Sequence, residues 1–347
     1  MGENNKKIKC LVWDLDNTFW NGTLLESDRL DVVDAAVRTL KQLDERGILH
    51  SIASKNDPKA ALEQLESFGF TDFFLYPQIN WGAKSASIKA IAESLNIGLD
   101  SIAFIDDQSF ELDEVQHVHS EIRCFSASDV AKLPSDPAFN PVSITPDAKL
   151  RRLMYLTDQK RQEDEERFDG PSSEFLETLE MRFELSIATE SDLLRAEELT
   201  LRTHQLNTTG VTYSYDELDA IRKDPNHHLI VARLIDRYGD YGIIGLALVS
   251  CKTDSWTLKL LLMSCRVMSK GVGGTFLTFL RSAARKHQVR LRADWNPTDR
   301  NRMMYVTFRF AGFKEGTSHA DEGVLVNDAS EPPPYAQYMK VTEPAEL

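Results

Sequence analysis

The stretch CLVWDLDNT, Cys10 to Thr18, decides how the first third of the chain is read. An apolar run of strand length ends in two aspartates, Asp14 and Asp16, that leave the strand as it turns into a loop. Open α/β sheets place their ligands at the carboxyl ends of the strands, so carboxylates at this point line a crevice. One carboxylate can attack an electrophile while the other handles the proton of the leaving group. Hard oxygen ligands of this kind also suit Mg²⁺, which screens repulsion between a carboxylate and an anionic substrate.

Outward from that stretch, strand-length runs alternate with helical patterns: VVDAAVRTLKQLDERG, ILHSIAS, PKAALEQLESFG, KSASIKAIAESLNIG and SIAFIDD. This alternation predicts parallel strands joined by crossover helices. In the first helix Val33, Val37, Leu40 and Leu43 share a face, and Gly47 follows as its stop. Ser54 ends the strand of IASKND, where its hydroxyl can donate to a phosphate oxygen. Lys84 opens a helix in NWGAKS, where its charge and the helix N-terminus both favour an anionic transition state. Asp106 and Asp107 end SIAFIDD and add metal ligands. Neither 18–54 nor 54–84 has room for a large cap, so an open site is expected.

The order Asp14-x-Asp16-x-Thr18, Ser54, Lys84, Asp106-Asp107 resembles the four motifs of the haloacid dehalogenase (HAD) superfamily. The resemblance implies an α/β fold with a HAD-like Rossmannoid parallel sheet. It implies Asp14 as nucleophile, Asp16 as acid/base, and Thr18 and Ser54 as supports for the phosphate. Lys84 would steady the phosphoryl charge, and Asp14, Asp16, Asp106 and Asp107 would surround Mg²⁺.

Pro134, Pro137, Pro141 and Pro146 fall among serines and aspartates and mark the end of the first domain. The charged stretch AKLRRLMYLTDQKRQEDEERFDG then reads as a solvated connecting helix. The expected organisation is a phosphoryl-transfer domain over 1–135, a linker over 136–178 and a second domain over 179–347. In the last, strands FELSIA, HHLIVARLID, GIIGLALVSCK, WTLKLLLMSCRV and VRLRADW mix with helices, one of them ESDLLRAEELTLRTHQLN. An α+β unit with a largely antiparallel sheet follows, with no repeat of the first half.

SKGVGG, Ser269 to Gly274, lies between a strand and a helix, an arrangement that aims backbone N–H groups at a phosphate. Together with Asn301, Tyr305 and Gly312-Phe313 it resembles the GNAT acyltransferase fold, although Met268 stands where that loop usually has Gln or Arg. Cys265 opens the loop beside Arg266 and Lys270, whose charge would favour the thiolate. The alternative is a buried strand cysteine, and Cys10, Cys124 and Cys251 are read that way.

Taken together, WDLDNTFWNG, ASKND, NWGAKS, FIDDQSFE, RTHQLNTTGVTYS, DRYGDYGIIG, MSCRVMSKGV and PTDRN resemble the FkbH-like family over residues 10–315. The resemblance implies that 1,3-bisphosphoglycerate, or a similar acyl phosphate, gives its glyceryl unit to Cys265. The unit then passes to the phosphopantetheine thiol of an acyl carrier protein, with dephosphorylation, in polyketide or related secondary metabolism. Lys270, Gly271 and Gly273 would hold the phosphopantetheine phosphate. His204, Gln205, Asn207, Arg266, Asn301 and Tyr305 would shape the acyl or phosphopantetheine site. Two alternatives stand beside this: a Mg²⁺-dependent HAD phosphatase of a small metabolite with a non-catalytic GNAT-like binding module, and a working coenzyme A-dependent acyltransferase.

Composition sets the outer bounds. The chain of 347 residues has material for two cores. A formal charge of −14 argues against nucleic acid and anionic membranes as partners. Four cysteines without metal-ligand spacing read as reduced thiols. With no apolar run of signal-peptide or membrane-span length, a soluble cytoplasmic protein is expected.

Overall fold

The computed structural model describes residues 7–27, 29–141, 143–316, 323–328 and 330–347. The chain divides into two compact units between Leu156 and Thr157.

In the first unit, strands β1 (Cys10–Trp13), β4 (Leu49–Ser54), β5 (Gln78–Ile79), β6 (Ile102–Asp106) and β7 (Arg123–Ser126) form a parallel sheet in the order β5-β4-β1-β6-β7. A small antiparallel pair, β2 (Trp20–Asn21) and β3 (Asp31–Val32), projects after β1. The central strands β4, β1 and β6 are buried along their whole length because helices cover both faces. Leu11 and Trp13 enter one core, and Cys10 and Val12 enter the core on the opposite face. Crossover helices Asp34–Glu45, Pro58–Ser67, Lys84–Leu95 and Ser109–Val118 make the connections. Gly47 sits at φ +71° past the first of these, a backbone state that favours glycine and ends the helix as expected. Register then builds the site: Trp13 lies opposite both Ile52 and Ile105, so β1, β4 and β6 end side by side.

The second unit is an eight-stranded mixed sheet. Its strands are β8 (Met181–Ile187), β9 (His227–Asp236), β10 (Gly239–Cys251), β11 (Ser255–Met263), β12 (Arg290–Asp294), β13 (Phe313–Glu315), β14 (Val324–Asn327) and β15 (Met339–Thr342). They run in the order β13-β14-β12-β11-β10-β9-β8-β15, antiparallel except for β11–β12 and β8–β15. Alternate residues feed two cores. One includes residues of the helices Val272–Lys286 and Arg302–Phe310, the other residues of Leu193–Arg202 and Tyr215–Lys223. The fold class is therefore the one expected, a parallel α/β unit followed by an α+β unit.

Two expectations change. The segment 136–178 is not a free linker. Ala138 and Phe139 are buried in a core of the first unit, and Arg151 donates to the Gly47 carbonyl at 2.7 Å. Pro137 and Pro146 start short helical turns, at first-turn positions where no backbone donor is needed. The predicted helix through Asn207 instead ends at Arg202. Beyond it the chain turns so that Asn207 can bridge to Leu262 of β11.

Candidate active site

At the carboxyl edge of the parallel sheet, Asp14 follows β1, its N–H donating to the Ile105 carbonyl at 3.0 Å. Ser54 and Asp106 are the last residues of β4 and β6. Lys84, first residue of its helix, reaches in from the side. Its Nζ donates to Asp14 Oδ1 at 2.7 Å and also pairs with Asp106 Oδ2. All four side chains are buried.

Three carboxylates, Asp14, Asp106 and Asp107, bring oxygen atoms within 4.8 Å of one another, the group among the described residues that could hold a metal ion. One lysine ammonium does not balance them. Burial, with Asp106 adding to it, pushes Asp14 up to about 7 against the pull of Lys84. Asp107 is raised by burial and by Asp106. Burial works to lower Lys84, but Asp14 and Asp106 outweigh it and hold the lysine above its usual range. An excess of hard oxygen ligands, two buried and Asp107 exposed, fits a small divalent cation such as Mg²⁺.

Asp16 departs from its expected place. Its Oδ1 accepts from the Trp20 indole at 2.7 Å and from the Leu24 N–H at 3.2 Å. These bonds hold the carboxylate against its own loop, and Asp16 is not in the metal-capable group of Asp14, Asp106 and Asp107.

Thr18 and Ser54 are buried, and their hydroxyls have no hydrogen-bond partner. Buried polar atoms are nearly always paired, so these two mark where a ligand's acceptors belong. Sequence reading passed over other members. Asn56 and Glu111 also carry unpartnered buried polar atoms, and Lys55 pairs with Glu111 at 2.6 Å, joining the turn after β4 to the helix after β6. Glu114 accepts from the Ser85 hydroxyl at 2.5 Å and from its N–H at 3.1 Å, fixing the helix that carries Lys84. Asn56 lay within the IASKND motif. The two glutamates gave no signal, because their partners are far away in sequence. Trp81 and Phe110, in the turns that carry Lys84 and Asp107, are 69% and 72% exposed.

In the second unit Cys265 follows β11 as the first residue of a tight helical turn, Cys265–Lys270, and is half-buried. The neighbouring cations do not simply surround it. Arg266 donates to the Tyr241 carbonyl at 3.0 Å, and Lys270 lies over the Tyr241 ring at 5.7 Å. Burial lowers Lys270 while Asp158 and Asp236 oppose it. Tyr241 belongs to a buried ionic cluster in which Arg161 forks onto Asp236 at 2.7 and 2.9 Å and stacks on that ring at 4.4 Å.

Other expected ligand contacts prove to be internal. Asn301 is buried, and its Nδ2 donates to the carbonyls of Asn207 at 3.0 Å and Asn296 at 2.9 Å, while its Oδ1 accepts from the Thr298 N–H. Asn207 Oδ1 accepts from the N–H groups of Thr209 and Gly210. These amides position backbone, and the reading of Asn207 and Asn301 as ligand-binding side chains is corrected accordingly. Gly271 has φ +72°, and a Cβ there would strike the Tyr338 hydroxyl. At Gly273 a Cβ would press on Met263 and Thr307. The positive φ favours glycine at 271, while at 273 the Met263 side chain that a Cβ would meet is flexible and can shift. Tyr305 donates to Glu315 at 2.9 Å and stacks against Trp295, His204 is exposed, and Gln205 is half-buried.

No protein-family model matches the chain, and no curated protein matches it. Among solved structures, the N-terminal part of BF1531 from Bacteroides fragilis, containing a phosphatase domain complexed with Mg, is 30% identical over 44% of this chain, with a TM-score of 0.32. This chain spans 40% of the length of that one. The 3-deoxy-D-manno-octulosonate 8-phosphate phosphatase of Moraxella catarrhalis, solved with magnesium and phosphate ions, is 19% identical over 32% of this chain and 64% of its own, with a TM-score of 0.27. The ribosomal-protein-S18-alanine N-acetyltransferase of Escherichia coli is 15% identical over 42% of this chain and 90% of its own, with a TM-score of 0.32. HAD-superfamily phosphatases and acetyltransferases are therefore both among the chain's structural neighbours. Among the described residues, no helix is long and apolar enough to cross a membrane.

Proposed function

We propose that the first unit is a Mg²⁺-dependent phosphoryl-transfer site of the HAD type, and that the chain as a whole transfers a glyceryl unit to a carrier protein. The observation that carries the first part is Lys84 Nζ held between Asp14 and Asp106, beside unpartnered hydroxyls at Thr18 and Ser54. Asp14 attacks phosphorus, the bond to the leaving oxygen breaks, and Asp16 supplies the proton that oxygen takes up. Water then attacks the aspartyl phosphate, Asp16 takes its proton, and inorganic phosphate leaves. Lys84 balances charge on the phosphoryl oxygens throughout. Mg²⁺ held by Asp14, Asp106 and Asp107 would screen the repulsion between carboxylate and phosphate.

The transferase part rests on the whole-chain resemblance to FkbH-like proteins and on a cysteine at the mouth of the β11 turn. The Cys265 thiolate attacks the carbonyl of an acyl phosphate such as 1,3-bisphosphoglycerate and displaces the anhydride phosphate, and hydrolysis of the remaining phosphate ester by the Asp14 chemistry leaves a glyceryl thioester. The phosphopantetheine thiol of an acyl carrier protein then takes the acyl group and returns its proton to Cys265. Intact mass of enzyme and carrier, after incubation with Mg²⁺ and the acyl phosphate generated in place, tests this. A glyceryl-sized gain on Cys265 that passes to the carrier is expected, and Cys265→Ala should abolish it while leaving release of phosphate from a model ester within about twofold.

One observation favours a second reading. The left-handed backbone at Gly271 accounts for that glycine, and Asn207 and Asn301 serve backbone groups, so these residues have structural work without any acyl chemistry. On that reading it is a binding module beside a plain phosphatase, and phosphate release with no adduct on either protein is its signature.

A further inference from the structure

The turn from Ser54 to Asp57 joins β4 to the helix Pro58–Ser67, and both of its ends are fixed. The Ser54 carbonyl accepts from the Asn80 N–H at 3.0 Å, and Asp57 caps the helix by accepting from the Ala60 N–H at 2.8 Å. Lys55 is held by Glu111 at 2.6 Å. Between them Asn56 is only 2% exposed, yet its Nδ2 has no hydrogen-bond partner.

A buried amide donor without an acceptor costs free energy, and folded proteins keep few of them. Lys55 and Asp57 on either side are both engaged, so the turn itself supplies no acceptor for Asn56. Thr18 Oγ1 and Ser54 Oγ share the condition, so three buried donors without acceptors occupy the turns that follow β1 and β4. Those strands are neighbours in register, and the first carries Asp14 at its end. A hydroxyl can donate or accept, whereas Nδ2 only donates, so Asn56 calls for an acceptor in particular. The ligand that supplies several acceptors at once beside Lys84 is an ionised phosphate.

We infer that Asn56 is a substrate-binding residue whose side-chain amide donates to an oxygen of the phosphate group held next to Asp14. The inference rests on the phosphoryl-transfer reading and deepens it. Asn56 adds to ground-state affinity for phosphate, so its loss acts on KM and on product inhibition more than on kcat.

Calorimetric titration of the full chain with inorganic phosphate in Mg²⁺ buffer tests it, beside the KM and kcat for p-nitrophenyl phosphate. Asn56→Ala is expected to weaken phosphate binding about tenfold, the effect of losing one hydrogen bond to a charged group, with thermal stability and Mg²⁺ binding unchanged. Asn56→Asp keeps the shape of the side chain and should weaken phosphate more than the alanine does, because a carboxylate repels it. A folded Asn56→Ala or Asn56→Asp protein that binds phosphate as tightly as the parent overturns the inference. A parent chain that neither binds phosphate nor releases it from the ester overturns the phosphoryl-transfer reading, and the inference falls with it.

Discussion

The turns around Asp14 and the loops around Asn301 are built on opposite principles. At the first, hydroxyls and an amide are buried with nothing to bond to, and a single lysine faces three carboxylates. At the second, the amides of Asn207 and Asn301 already serve backbone groups, and Gly271 holds a left-handed backbone. A surplus of unpaired groups belongs to a site that awaits a ligand, while complete pairing belongs to a scaffold. The two motif sets were equally visible in sequence, and the structure separates them.

The contrast can be broken most directly at Asp14. Asp14→Asn should lower Mg²⁺-dependent hydrolysis of p-nitrophenyl phosphate by about a thousandfold or more, while the melting temperature holds or rises as a buried charge is removed. Unchanged hydrolysis would place the nucleophile elsewhere. Asn301→Ala should act in the opposite sense. It strands buried carbonyls and costs about 2–4 kcal/mol in a denaturant titration, with hydrolysis by the folded protein unaffected.

A third test concerns acid. His50 is fully buried and accepts from the Trp13 indole at 3.0 Å, and burial lowers it from 6.5 to about 3. Between those values the unfolded chain binds a proton that the folded chain does not. Stability is therefore full above pH 6.5 and falls by about 1.4 kcal/mol for each unit below it, down to about pH 3. His50→Gln keeps an acceptor for Trp13 and should flatten that slope, as read by melting across the range. The smallest effect is expected at Ser54. Ser54→Ala removes an unpartnered hydroxyl, so stability should change by less than about 1 kcal/mol while hydrolysis falls about tenfold. Destabilisation as large as that of Asn301→Ala would erase the distinction between the two regions.

Asp14, Ser54 and Asp106 were legible because apolar strand runs end at or beside them and a parallel sheet brings such ends level, and Lys84 because it opens a helix in the motif order that resembles the HAD superfamily. The carboxylate of Asp16 was not, since its direction is set by Trp20 in a two-residue strand too short to leave a pattern. Proline spacing suggested that the first domain ends at residue 135. The chain instead folds Phe139 into the first core, where three-dimensional packing outweighs local composition. Asn301 misled because its acceptors include a carbonyl 94 residues away. A side chain with distant backbone partners looks in sequence like one kept for a ligand.

The exposed ring of Trp81 has a further use. Of the five tryptophans, Trp13 and Trp20 are wholly enclosed, Trp256 nearly so and Trp295 half-covered, which leaves Trp81 in water three residues before Lys84. An indole moved from water into a less polar setting shifts its emission to shorter wavelength. The chain therefore carries its own optical gauge of whatever comes to rest over the Asp14 crevice, readable without any label.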